Sequence, residues 1–266
     1  MTKKFLINEK SVVITGGAGL LGSSFVEAIL EIKGIPIILD NDKKKCIQII
    51  KNIKKKFSII CDYYCVDITN EKAIKSTLSK ILKNHNNLYG LINNAGINDS
   101  KGLKNNNDFE SYDIQKWNRE LNVNLTGTFV CSKIFGSHFA KKKNGVIVNI
   151  SSDLGIISPD QRLYKSKLSN KNKPISYSVS KHGIIGLTKY LATYWASKGI
   201  RCNALSPGGI KNNQPKEFLN KINKLIPMNR MANVNEYKSA IQFLCSDASS
   251  YMNGANLVID GGRTIW

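Results

Sequence analysis

The sequence predicts an α/β fold in which a doubly wound parallel sheet of about seven strands carries helices on both faces. Three observations point to it. An apolar strand runs through a glycine-rich turn into an amphipathic segment between Ser11 and Ile32. Apolar strands and amphipathic segments then alternate along the rest of the chain, the pattern of a parallel sheet. Several strands also end in small or polar residues, where such a sheet opens its ligand crevice: Asn93-Asn94-Ala95-Gly96, Ser151-Ser152 and Pro207-Gly208. The 266 residues can bury a large core and contain no Pro/Gly/Ser-rich linker, so residues 1–266 read as one domain.

Ser11 to Thr15 is the first strand. It enters Gly16 and then Gly17-Ala18-Gly19-Leu20-Leu21-Gly22, a G-x-G-x-x-G turn between strand and helix. The first glycine permits a tight turn, the second lets backbone approach a pyrophosphate, and the third lets helix pack on strand, with the helix N-terminus facing the anion. The second strand, Ile35 to Leu39, ends in Asp40, whose carboxylate can accept hydrogen bonds from ribose hydroxyls and would repel a 2′-phosphate. NAD is therefore expected over NADP, with Lys43 to Lys45 near enough to soften the discrimination. The alternative is that Asp40 only caps the helix beginning near Asp42.

A helix to Lys56, a strand from Ile59 to Val66, and Asp67-Ile68-Thr69-Asn70 opening a helix to Asn84 continue the alternation. Leu88 to Ile92 is a fourth strand and 98–108 a polar loop. A long helix from Trp117 to Phe139 carries Asn122, Asn124 and Gly127, and the strand from Val146 to Ile150 ends at Ser151-Ser152. An irregular stretch, 153–173, precedes the next helix. Ile200 to Ser206 is a sixth strand, leaving through Pro207-Gly208-Gly209-Ile210 into a polar excursion at 209–230. A helix from Asn235 to Ser246 and a strand from Leu257 to Ile259 finish the chain.

The helix after Pro174 carries Tyr177 and Lys181 four residues apart, on one face; Ile184, Leu187, Leu191 and Tyr194 supply its apolar stripe. An ammonium beside a phenol favours the phenolate, bringing a pKa of about 10 toward the range of a general base near neutrality. Chance i, i+4 pairs on a long helix are the competing explanation.

The net charge of +20 comes from dispersed lysine runs such as 43–45, 54–56 and 141–143. They lie on different elements with no interleaved aromatics, so a solvated surface is expected rather than a nucleic-acid site. No apolar run approaches a membrane span or signal segment. Six cysteines without a C-x-x-C pair, and three histidines without ligand spacing, predict reduced thiols, no metal and a cytoplasmic location.

Taken together, the glycine turn after Thr15, Asp67 in V-D-I-T, Asn93-Asn94-Ala95-Gly96, Asn124, Ser152, Tyr177-x-x-x-Lys181 and Pro207-Gly208 resemble the short-chain dehydrogenase/reductase family from Val12 to Gly262. That resemblance implies a Rossmann-type domain and a catalytic set of Asn124, Ser152, Tyr177 and Lys181. Tyr177 would exchange a proton with the substrate oxygen, Ser152 would hydrogen-bond that oxygen, and Lys181 would depress the phenol pKa and bind the nicotinamide ribose. Asn124 would hold a water linking Lys181 to solvent. Ser151 is the rival to Ser152, which stands second in the pair as the family's serine does. Gly16, Gly17, Gly19, Leu20, Leu21, Gly22 and Asp40 would hold one end of the cofactor. Asp67, Ile68, Asn93, Ala95 and Gly96 would line its middle, and Tyr177, Lys181, Pro207, Gly208 and Ile210 the nicotinamide end. A homodimer or homotetramer through the helices near Trp117 and Tyr177 is also implied.

There are departures. Leu20 stands where the family's middle glycine often falls, Asn212 replaces a frequent threonine, and the Ser152–Tyr177 gap is long. That gap, roughly 153–175, and the excursion at 209–230 are the expected substrate loops. Arg162 is the candidate clamp for a phosphate or carboxylate, the alternative being a charged surface loop. The pieces Ser152-Asp153-Leu154-Gly155 and Pro159-Asp160-Gln161-Arg162 resemble oxidoreductases of bacterial surface-sugar and flagellin-modification gene clusters, which implies a sugar phosphate, nucleotide sugar or acidic sugar as the small-molecule substrate. A 3-oxoacyl or lipid ketone reductase and a catalytically idle NAD-binding protein are the alternative functions.

Overall fold

Strand β1 (Ser11–Thr15) is buried at all five residues, which is why it reads as a continuous apolar run rather than an alternating one. Val12 and Ile14 face one side of the sheet, Val13 the other, and the core divides accordingly. The computed structural model describes residues 2–98, 107–166, 169–170 and 172–266. The expected polar loop at 98–108 therefore falls mostly outside the described residues, as do 167, 168 and 171 of the second long loop.

From β1 the chain passes through α1 (Leu20–Glu31), β2 (Ile35–Asp40), α2 (Lys43–Phe57), β3 (Tyr63–Cys65), α3 (Glu71–Asn84) and β4 (Leu88–Asn93). Then follow α4 (Ile114–Leu121), α5 (Gly127–Lys142), β5 (Gly145–Ile150), a short hairpin of β6 (Lys165–Ser166) and β7 (Ser169–Asn170), and α6 (Ile175–Tyr194). The chain closes with β8 (Ile200–Pro207), α7 (Lys216–Asn223), α8 (Lys238–Cys245) and β9 (Asn256–Ile259). The main sheet has seven strands in the order β3-β2-β1-β4-β5-β8-β9, all paired in parallel. The direction of winding reverses between β1 and β4, so the C-terminal ends of those strands part to form the crevice.

On one face of the sheet Phe25 and Ile29 of α1 and Ile241 and Leu244 of α8 pack with Tyr237 over Val12 and Ile14. On the other, Ile74, Phe135, Phe139, Leu191 and Trp195 cover Val13 and Leu91. A third, smaller cluster joins Leu163 to Ile222, Ile226 and Met231, with the rings of Tyr164 and Phe218 5.9 Å apart. The two expected substrate loops are thus packed on each other.

The elements differ from expectation in three places. Strand β3 is three residues long rather than spanning Ile59 to Val66, because it is an edge strand pairing only with Ile38 to Asp40, and Ile59 and Ile60 are exposed. The long helix starts earlier, capped by Asp113, whose side chain accepts from the Gln115 N–H. It is also interrupted by a π-helical turn at Asn122–Thr126. The irregular loop contains 3₁₀ turns at Asp153–Gly155 and Gln161–Tyr164 as well as the hairpin. Among the described residues no helix is long and apolar enough to cross a membrane.

Candidate active site

Each glycine of the turn does a different job. Gly16 is the residue in the left-handed region, at φ 61°, and a Cβ there would lie 2.8 Å from Ala95 Cα. The tight bend therefore falls one residue before the expected Gly17, which instead abuts Ile38. A Cβ on Gly22 would sit 2.1 Å from the Gly16 carbonyl oxygen, so this glycine lets α1 close on β1. A Cβ on Gly19 meets only that same oxygen, at 3.2 Å, and is otherwise in the open crevice at the N-terminus of α1. Backbone, a helix N-terminus and free space at one point suit a pyrophosphate.

This crevice encloses about 580 Å³ and is lined by Gly16, Gly19, Leu20, Leu21, Asp40, Asp67, Ile68, Ala95, Gly96 and Ile210 among the expected cofactor residues. Asp40 faces it: Oδ2 accepts the Ala18 N–H at 3.1 Å and Oδ1 the Asp42 N–H at 3.0 Å. Capping α2 is the work of Asp42, whose side chain accepts the Lys45 N–H. Asp67 holds its turn by accepting from Thr69 N–H and Oγ1 at 2.9 and 2.8 Å. The residues present fit an adenine dinucleotide.

Asn93 is corrected. It is 2 % exposed and turned into the core, where its amide donates to Ser132 Oγ and Asn149 Oδ1 at 2.9 and 2.8 Å. Its neighbour Asn94 lines the crevice and donates to the Thr15 and Gly16 carbonyls, both at 3.0 Å, tying β4 to the glycine turn. Residue alternation along a strand end decides this. Of the other expected cofactor residues, Gly17, Gly22, Tyr177, Lys181, Pro207 and Gly208 do not line the crevice, and Gly208 packs on Asp260.

At the inner end, Ser152, Tyr177 and Lys181 come together. Ser151 Oγ donates to the Lys181 carbonyl at 2.8 Å, and a Cβ on Gly155 would strike Ser151 Oγ and that carbonyl, so the turn after β5 is pressed onto α6. This occupies Ser151 and leaves the Ser152 hydroxyl to act on the Tyr177 phenol, whose pKa it lowers. Ser152 Oγ also donates to Asp153 Oδ1 at 2.7 Å. Lys181 Nζ donates to the Ile150 carbonyl at 2.8 Å and would be 3.8 Å from a Cβ on Gly96, which places it next to the crevice lining. Asn124 sits in the π turn, fully buried. Its amide clamps Ile97, accepting the N–H at 2.7 Å and donating to the carbonyl at 2.9 Å, and reaches Ser180 Oγ at 3.3 Å. Such turns concentrate at functional sites.

A profile described as enoyl-(acyl carrier protein) reductase matches residues 33–264. An NAD-dependent glycerol dehydrogenase of Listeria innocua is 31% identical, covering 99% of this chain and 97% of its own. A 2-dehydro-3-deoxy-D-gluconate 5-dehydrogenase of Bacillus subtilis is 30% identical over 97% and 96%. The chain is a short-chain dehydrogenase/reductase. A short-chain dehydrogenase from Leptospira borgpetersenii with bound NAD+ superposes with a TM-score of 0.84 at 34% identity, covering 99% of this chain and 96% of that one. An NAD+-bound xylitol dehydrogenase gives 0.86 at 26% identity, covering 98% of this chain and 100% of that one. The dehydrogenase/reductase is accordingly an oxidoreductase of CH–OH groups that uses a nicotinamide cofactor.

Electrostatics in this dehydrogenase/reductase depart from the simple expectation that Lys181 brings the phenol toward neutrality. Burial pushes Tyr177 up to about 12, opposed by its bond to Ser152 and aided by the nearby Asp153 charge. Burial likewise pushes Lys181 down to about 8, with the ammonium of Lys173 adding to the effect. Arg162 does not reach this centre. Its side chain is 86% exposed and its guanidinium makes a bidentate contact with Asp160 at 2.7 to 3.2 Å. Two other cations take its place. Arg263, 5% exposed, has Nη1 3.3 Å from Asp153 Oδ2, an ion pair without hydrogen-bond geometry. Lys173 lies over the Tyr177 ring. Arg119 lines the crevice. Of these, only Lys173 had a sequence signal: it precedes Tyr177 by the same interval at which Lys181 follows it.

Proposed function

We propose that this enzyme interconverts a secondary alcohol and a ketone on a polyol or sugar-derived substrate bearing an acidic group, with NAD(H) preferred over NADP(H). The observation that carries the reaction is the meeting of Ser152, Tyr177 and Lys181, with Lys181 next to Gly96 of the crevice lining. When bound, the nicotinamide supplies the hydride acceptor or donor. Tyr177 takes the hydroxyl proton during oxidation and returns it during reduction. Ser152 positions the oxygen; Lys181 and Asn124 complete the proton path.

Asp40 supports the cofactor preference, because its carboxylate faces the crevice where a 2′-phosphate would have to lie. Relatives named for glycerol and for a deoxygluconate support the polyol and sugar-acid class, and the ammonium of Lys173 over the Tyr177 ring suits an anion. A place in surface-glycan synthesis rests only on the loop pieces described above. A 3-oxoacyl-[acyl-carrier-protein] reductase of Thermotoga maritima is also 30% identical, and this favours a ketoacyl thioester as the second reading.

The reading extends to a single domain over residues 1–266, with substrate loops at 153–175 and 209–230 packed together by Leu163 and Ile222. It also includes self-association through α5 and α6, whose Phe129, Val179, Tyr190 and Tyr194 are exposed. Six free thiols suit a cytoplasmic location.

The test is nicotinamide absorbance with NAD or NADP and a panel of polyols, aldonic acids, sugar phosphates and a 3-oxoacyl thioester, with Tyr177→Phe alongside. The variant should lose about 10²-fold or more in turnover while binding NAD as before. Full activity in the variant, or cofactor binding without turnover of any panel member, would reject the proposal.

A further inference from the structure

Tyr177 has a lysine four residues to either side. Lys181 is on the helix, but Lys173 is not: Pro174, the N-cap residue at φ −54° and ψ 128°, separates it from α6. The fold nevertheless returns the Lys173 side chain to the same ring. Its Nζ is 4.3 Å from the Tyr177 ring centroid and 5.8 Å from that of Tyr164, whereas Lys181 Nζ stands 5.7 Å from the Tyr177 ring. The position is built from several sides. Lys173 N–H donates to Gln161 Oε1 at 2.8 Å, Asn107 Nδ2 donates to the Asn172 carbonyl at 2.7 Å, and Asn172 Nδ2 donates to Asp108 Oδ1 at 2.6 Å. Lys173 is 9% exposed, and Asp153 and Glu120 act on it only through space. A lysine buried in this way is unfavourable by itself.

We propose that Lys173 is a positioning residue for the acid/base: its ammonium, held over the face of the Tyr177 ring, lowers the proton affinity of the phenol. This rests on the reading of Tyr177 given above. Ionisation spreads negative charge from the oxygen into the ring, so a cation over the face gains attraction when the proton leaves, and burial weakens the screening. The groups facing Tyr177 leave Lys173 this part. Ser152 and Asp153 approach from the turn after β5, Tyr164 from the 3₁₀ turn, and Lys181 from the same helix. Arg263, from the chain end, is paired with Asp153, and Lys181 Nζ is directed to Ile150. Glu120 of α4 helps keep Lys173 charged; burial is the larger influence and draws Lys173 down to about 8, so it remains an ammonium at neutral pH.

Lys173, drawn down to about 8, is charged at neutral pH but has lost its charge before a phenol near 12 titrates, so the permanent charge of arginine is the informative replacement. Lys173→Arg and Lys173→Met are titrated by tyrosinate absorbance, each with and without Tyr177→Phe, so that the difference isolates Tyr177. Lys173→Arg should place the Tyr177 midpoint about one pH unit or more below that of Lys173→Met. Equal midpoints in the two variants overturn the proposal. Lys173→Gln replaces the methionine variant if that protein does not fold.

This readout needs no substrate, so a panel without turnover rejects the oxidoreductase reading independently of it. With any alcohol that is turned over, the acid limb of kcat/KM should move with the midpoint. A limb that stays put while the midpoint moves removes Tyr177 from the acid/base role, and the proposal with it.

Discussion

The carboxylate of Asp40 accepts the backbone N–H of Ala18 at 3.1 Å, so the end of β2 and the middle of the glycine turn are one hydrogen-bonded unit. The group proposed to read the cofactor ribose is thereby oriented by the loop proposed to take the pyrophosphate. Asp40→Asn keeps an acceptor and removes the charge, and should raise the NADP-to-NAD ratio of kcat/KM by about tenfold or more, equivalent to about 1.4 kcal/mol. Parallel kinetics with both cofactors test this. An unchanged ratio would show that Asp40 serves the turn without discriminating.

Gly19 and Gly22 belong to one motif but should fail differently. An added methyl at Gly22 meets only fixed backbone, at 2.1 and 2.7 Å, whereas at Gly19 it enters the crevice with a single contact at 3.2 Å. Gly22→Ala should destabilise the fold by about 1–3 kcal/mol, seen in urea unfolding. Gly19→Ala should leave the unfolding midpoint nearly unchanged and weaken dinucleotide binding in calorimetry.

Arg162 and Arg263 should also separate. Arg162 lies on the surface against Asp160, so Arg162→Ala should change stability by no more than about 0.5 kcal/mol and leave KM for an anionic substrate close to wild type. Arg263→Met strands Asp153, which is 4% exposed, and should cost about 3–5 kcal/mol. Equal unfolding curves for the two variants would contradict this assignment.

Alkaline stability should be governed in part by the core thiols. Burial pushes Cys131, on α5, and Cys245, on α8, from 9.0 up to about 12. The unfolded chain therefore releases these protons first. Their contribution is fully present below about pH 9 and is lost as pH climbs from there through about 12. Lys173 and Lys181, held near 8, act oppositely between about 8 and 10.5. Melting temperatures across pH 8 to 11 should decline less steeply in Cys131→Ala than in wild type; parallel curves would refute the thiol contribution.

The sequence by itself determined the alternating elements, the parallel sheet, the glycine turn, Asp40 at a strand end, and Tyr177 and Lys181 on one helical face. These follow from periodicity and turn chemistry acting within a few residues. Tertiary structure decided the rest. Whether Asn93 or Asn94 lines the crevice depends on which side of β4 the core occupies. The π turn at Asn124 has no signal in local propensity. Strand β3 is short because it has one neighbour. The cation over the Tyr177 ring is Lys173 rather than Arg162, and Arg263 pairs with Asp153, because a long side chain reaches wherever distant segments leave it room. Here those segments are 107–108, 161–164 and the chain end, which are far apart in sequence and meet only after the sheet has formed.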